Sequence, residues 1–243
     1  MYSFGRTLSF AILLITSQFA LAENVLVLSN GATNYPMHGQ NNSGIAEAIL
    51  SEALRRINYK LEIRLFPNER SLINSNRGLV DGETQRIAGL EKKYPNLIRV
   101  PEKTMDWEFV AFSKKKIDMT RGWSSLVPYE TSYITGWKIF EFNVPKNVRV
   151  TRVRDPDGLF TLLNHDRSDI ALFERWEGME IIKKNKYKDI KPLSPALASR
   201  EMFTYLHKKN AKLVPLLAKA LKDMKNDGTY ARLHKQILGP LEK

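Results

Sequence analysis

The side chains that could do chemistry are few and widely spaced: Glu69, Arg70, Glu83 and Arg86 in the first half of the chain, Glu174 in the second, and the aromatics Tyr35, Trp107 and Trp137. Arginine offers a planar fork of donors that fits a carboxylate or a phosphate, which a lysine cannot match. Arg86 is therefore either a clamp for a ligand anion or one half of a surface pair with Glu83 or Glu91. Glu174 would hold an amine or cation against a low-dielectric wall, or cap a helix starting beside it. Glu83 is a further ligand candidate, and Glu69 with Arg70 reads equally as a ligand contact or as an ion pair at a helix start. Tyr35, Trp107 and Trp137 would stack on a planar or cationic ligand, or simply pack in the core. Trp137 also follows Gly136 at an expected helix start, where backbone N–H groups receive anions.

Other chemistries are excluded by residue type. With no cysteine, the chain has no disulfide, thiol nucleophile, thiolate metal site or lipidated N-terminal cysteine. The four histidines, His38, His165, His207 and His234, lack metal-ligand spacing and are expected at the surface. No phosphate loop, activated nucleophile or nucleic-acid motif occurs, so neither cofactor nor metal nor nucleic-acid partner is expected. The formal charge of +12 is spread in short runs such as residues 114–116 and 183–188, and reads as a sign of an anionic ligand, an acidic envelope surface or simply a solvated surface.

The elements that must hold these residues follow from periodicity. Residues 24–28 form an apolar first strand, and Ser43 is placed to cap a helix whose Ile45, Ile49, Leu50, Ala53, Leu54 and Ile57 recur at three- and four-residue spacing. Residues 59–66 alternate as a second strand. Residues 68–86 then run helix, turn, a brief strand at Leu79–Val80, and a polar loop over 81–86. Further strands are expected over 97–100 and 108–113, with Trp107 in the loop between them. The order β, α, β, α, β argues for a mostly parallel sheet that meets ligands at the carboxyl ends of its strands. Residues 159–175 repeat the logic of 69–86, which implies two similar α/β lobes. Residues 211–224 and 227–237 read as closing helices, and short crossing strands near 112–116 and 191–198 would act as a hinge.

The N-terminus carries an address. Arg6 precedes an apolar run over 8–15, and Ala20–Leu21–Ala22 is a small-x-small cleavage site, so residues 1–22 read as a secretory signal peptide and the remainder, of charge +11 without Arg6, as a soluble, unanchored periplasmic protein. No later segment is apolar enough to insert in a membrane.

The chain resembles the type II periplasmic solute-binding proteins, and within them extracellular solute-binding protein family 3, the polar amino-acid type. The resemblance is carried by Tyr35-Pro36, the helix over 44–58, Asn68-Glu69-Arg70, Gly78-Leu79-Val80-Asp81-Gly82, Gly136-Trp137, Arg167-Ser168-Asp169-Ile170-Ala171 and Lys225-Asn226-Asp227-Gly228-Thr229-Tyr230. It implies an α/β fold of two lobes, 23–112 plus 198–243 and 113–197, each a mostly parallel sheet flanked by helices and joined by two crossing hinge strands. It further implies a monomer that binds a small polar solute (amino-acid-like, amine or organic acid) between the lobes, without catalysis, for an inner-membrane ABC permease or a membrane sensor. By resemblance, an arginine after the first-lobe aspartate loop holds a ligand carboxylate and an acid after the second-lobe aspartate strand holds its ammonium. Glu174 stands at the second place. Arg86 is nearest to the first but comes early, and Glu83, Thr84 and Gln85 replace the usual small loop. The alternatives are a dehydratase-like enzyme on the same fold, using Glu174 or Glu83 near Arg86, and an interaction protein with a degenerate cleft.

Overall fold

The computed structural model describes residues 24–31, 35–39 and 43–242, except for the side chain of Asn68. The expected signal peptide and part of the loop over 33–44 thus lie outside the described residues. In the first half, β1 (Asn24–Asn30) pairs in parallel with β2 (Tyr59–Leu65) on one side and β3 (Gly82–Arg86) on the other. The crossovers are α1 (Ile45–Arg55) and α2 (Asn68–Asn76). The apolar stripe of α1, Ile45, Ile49, Leu50 and Leu54, is buried with Leu26 and Leu28 of β1 and with Leu217, Leu221 and Met224 of α6 (Leu213–Asn226). At about 1.5–3 kcal/mol for each large apolar side chain removed from water, this face fixes how the helix docks. Ser43 does not cap it: Gly44 is the N-cap, with no side-chain hydrogen bond.

The second half repeats the plan. There, β6 (Glu130–Ile134) lies between parallel β7 (Arg149–Val153) and β8 (Ile170–Glu174), covered by α3 (Lys138–Asn143), α4 (Pro156–Asn164) and α5 (Arg175–Lys184). The echo read between residues 69–86 and 159–175 has a structural basis in two aspartates. Asp81 donates its amide to the Val27 carbonyl at 2.7 Å and accepts the Val27 amide on Oδ2 at 2.8 Å. Asp169 does the same to Glu130, at 2.8 and 3.0 Å. Each aspartate joins the start of its third strand to the central strand and satisfies an amide that would otherwise be left over.

Two antiparallel strands, β5 (Met105–Ser113) and β10 (Ala198–His207), join the halves in the order β2-β1-β3-β10-β5-β8-β6-β7, with β4 (Leu97–Arg99) on β10 and β9 (Lys191–Pro192) on β5. Each half is therefore three parallel strands plus one antiparallel crossing strand. Side chains alternate across β5: Phe109 and Ala111 enter one second-half core with Tyr133 and Phe140, while Val110 and Phe112 enter another with Phe160 and Phe173. The final helix, α7 (Thr229–Ile237), packs on α1 and α6.

Three sequence expectations change. Leu79 and Val80 lie in a turn, and the polar run over 82–86 is itself the strand β3, because hydrogen bonds rather than apolar contacts satisfy its buried side chains. Trp107 lies within β5 and not in a loop. Sequence sets the crossing near 112–116 and 191–198, but β5 pairs β10 from Met105–Met202 to Phe109–Ala198, and Phe109–Phe112 already pair with β8. The composition change at Lys114 marks the end of a strand that has exchanged partners several residues earlier.

Candidate ligand-binding cleft

The carboxyl ends of β1 and β3 face the loop after β6 across the crossing strands, enclosing a cavity of about 540 Å³. The first half contributes Asn30, His38, Gln85 and Arg86 to its wall, and the second half Gly136, Trp137, Lys138, Ile139, Phe142 and Asn143. The crossing strands supply Trp107, Phe109, Arg200 and Met202 as its floor. A larger hollow of about 970 Å³ lies between α5, β9 and the turn at Gly239–Leu241, lined by Lys183, Lys186, Lys188 and Lys191. It lies away from the strand ends, and none of the buried unpartnered side-chain atoms found among the described residues borders it.

Of the eight candidates, Arg86, Trp107 and Trp137 line the cleft. Arg86 is anchored from behind, giving Nε and Nη2 to Oε1 of Glu83 at 3.1 and 2.7 Å. Trp137 stacks on Phe140 with ring centroids 5.6 Å apart and lies 4.7 Å from Phe173, so its ring is held by the second-half core. The amide of Gly136 is already given to Glu141 at 2.8 Å, and that carboxylate also takes Lys138 at 2.6 Å. The anion position expected at this short helix is thus filled by the protein's own side chain.

The remaining candidates stand elsewhere. Glu83 points into the first half, fully buried, accepting from Ser29 at 2.7 Å and Ser71 at 2.8 Å as well as from Arg86. Glu174 is fully buried at the end of β8, where Oε2 accepts the Glu177 amide at 2.8 Å and caps α5. Burial foremost, then the charge of Glu177, pushes its carboxyl well above the ordinary range. Glu69 is exposed and paired with Lys93 and Tyr94, Arg70 is exposed on α2, and Tyr35 is 41 % exposed outside the cavity wall.

Sequence reasoning passed over the polar residues that are most distinctive here. Asn30, His38 and Gln85 are 3, 5 and 6 % exposed, and Asn30 Nδ2, His38 Nε2, both Gln85 amide atoms and Trp107 Nε1 have no partner among the described residues. Buried polar atoms are rarely left unpaired, because each costs ~1–3 kcal/mol. Their concentration along one cavity marks a surface built to meet something. His38 is not at the surface as expected: its Nδ1 lies 2.6 Å from Oε1 of Glu47 on α1, which fixes the ring. The one readable signal was Glu47, a charge among the apolar positions of α1 that demands a buried partner.

No family model matches the chain. It is 28 % identical over 206 residues to an uncharacterized protein of Shewanella oneidensis, covering 81 % of this chain and 77 % of that one. Among solved structures, the L-cystine solute receptor of Neisseria gonorrhoeae in its unliganded open conformation superposes with a TM-score of 0.70 at 16 % identity, over 89 % of this chain and 94 % of the receptor. A histidine kinase sensor domain with similarity to periplasmic binding proteins gives 0.68 at 16 % identity, over 89 % and 97 %. Two α/β halves, two antiparallel strands passing between them and a cleft at the strand ends are thus the fold of the two-lobed, type II periplasmic binding proteins.

Proposed function

We propose that this protein is exported to the periplasm, where as a monomer it binds one small polar solute in the cleft, closes its lobes about β5 and β10, and releases the solute unchanged. Binding energy then favours the closed form, which a membrane partner reads. The observation that carries this reading is the cluster of buried, unpartnered polar atoms on Asn30, His38, Gln85 and Trp107 around the cavity. A solute-receptor neighbour and a kinase sensor-domain neighbour support, respectively, an ABC permease and a sensor as that partner. The charge, apolar run and small-residue pattern of residues 1–22 support the address. Absence of turnover is favoured because Glu83 and Glu174, the carboxylates a dehydratase-like reaction would draw on, do not line the cavity: Glu83 accepts from Ser29 within the first half, and Glu174 caps α5 through one oxygen. Titration calorimetry against amino acids, polyamines and organic acids, with solution scattering alongside, should find heat and a smaller radius of gyration for at least one solute. Neither heat nor compaction from any of them would overturn the reading.

A further inference from the structure

We propose that the solute taken by this cleft is an organic acid without an ammonium group, carrying an apolar or aromatic body, and not an α-amino acid or an amine. This rests on the cleft-binding reading above and narrows it. None of the described residues that line the cavity is an aspartate or glutamate. The nearby carboxylates lie outside the cavity wall and serve the protein's own donors: Glu83 accepts from Ser29, Ser71 and Arg86, Glu141 from Gly136 and Lys138, and Glu47 holds His38 through Oε1 while its Oε2 is buried without a partner among the described residues. Glu174, at the strand end where an ammonium partner is expected, is fully buried and caps α5. Residues 32–34 and 40–42, which adjoin Gly31 and His38 in sequence, are Ala-Thr-Asn and Gln-Asn-Asn and bring no acid. An ammonium group entering here would give up its water and find no counter-charge.

The unpartnered atoms favour the opposite charge. The Thr84 hydroxyl donates to Asn30 Oδ1 at 3.1 Å, which leaves Nδ2 as the end of that amide without a partner. Gln85 Nε2 and Trp107 Nε1 add two more buried donors. Arg200, also on the wall, gives Nη1 to the Ser199 carbonyl at 2.9 Å and has no carboxylate partner among the described residues. Donors therefore outnumber acceptors, as a carboxylate requires. Trp137 and Phe142, the latter 80 % exposed, give the other side of the cavity an apolar face for the body of the acid. His38, held at Nδ1 by Glu47, turns its unpartnered Nε2 to the cavity as a further polar contact for the ligand.

Matched series separate the classes: phenylalanine, 3-phenyllactate and 3-phenylpropionate, then leucine, 2-hydroxy-4-methylvalerate and 4-methylvalerate, followed by quenching of tryptophan fluorescence and by calorimetry. In at least one series the hydroxy or unsubstituted acid should bind about tenfold or more tightly than the amino form. Gln85→Leu removes two unpartnered buried atoms, so it should keep or raise the melting temperature while weakening that acid by about tenfold. Tighter binding of the amino form, or undiminished binding in Gln85→Leu, overturns the acid assignment and leaves cleft binding standing. If no member of either series binds and no compaction is seen, both readings fall.

Discussion

Two carboxylates are carried into the interior near the cleft, and their surroundings differ. Glu83 is ringed by three serine hydroxyls, of Ser29, Ser71 and Ser75, and the Arg86 guanidinium, so its buried charge is fully paired. Glu174 has the Glu177 amide on one oxygen and nothing on the other, and burial holds its carboxyl well above the ordinary value of 4.5. A carboxyl that keeps its proton more firmly in the folded state contributes stability fully below the unfolded value, and that contribution is lost as the pH rises toward the folded one. The stability of the parent relative to Glu174→Gln, which still accepts the Glu177 amide but cannot ionise, should therefore decline as the pH rises above 4.5. Urea midpoints measured across that interval decide it, since equal slopes in the two proteins would mean that Glu174 is not the titrating group. Arg86, Trp107 and Trp137, which line the cavity, were legible as candidates because a forked cation and a large ring have distinctive uses wherever they fall. Asn30, Gln85 and His38 were not, because their meaning comes from being buried without partners, which no one-dimensional pattern records.

At the scale of elements, α1 and α6 could be read from their apolar stripes, while β3 could not. The run Gly82-Glu83-Thr84-Gln85-Arg86 has the composition of a loop, yet it is a central strand because Ser29, Ser71, Asn30 and Thr204 supply hydrogen bonds where apolar neighbours would ordinarily stand. The strand's first residue shows how tightly it is held. Gly82 pairs with Leu206 of β10, and a Cβ there would lie 2.1 Å from the Tyr205 carbonyl oxygen, far inside contact distance. Backbone cannot swing aside as a side chain would, so Gly82→Ala should destabilise the protein by about 3 kcal/mol, at the upper end of overpacking costs. In a chain of this size that corresponds to a fall in melting temperature on the order of 6–12 °C. A melting temperature within error of the parent's would mean that β3 and β10 can separate without cost and do not fix the position of Gln85 and Arg86.

At the scale of the whole molecule, the internal repeat of helix, aspartate and strand was visible in the chain, but the means by which the two halves are held at one angle was not. That angle depends on both faces of the crossing strands. Trp107 and Phe109 of β5 face the cleft, and the alternate residues Asp106 and Glu108 face a hollow behind it, lined also by Trp176 and His234. Across this rear face Arg175 of α5 pairs with Glu108, and Lys183 donates to the Pro240 carbonyl at 3.0 Å. Trp176, also on α5 of the second half, is buried in the core of the first half, edge-on to His234 at 5.5 Å. On the closure proposed above, about β5 and β10, these rear contacts would part, so they favour the angle seen here. Trp176→Ala should therefore have two separable effects. It should lower global stability by about 3–5 kcal/mol, as truncation of a buried tryptophan does. It should also raise the unliganded population of the closed form, and with it the apparent affinity, because a larger binding-competent fraction lowers the apparent Kd in proportion. Solution scattering of the unliganded variant, where it remains folded, should give a smaller radius of gyration than the parent. A destabilised variant with unchanged radius and affinity would show that Trp176 packs the rear face without setting the angle, leaving the hinge to β5 and β10 alone.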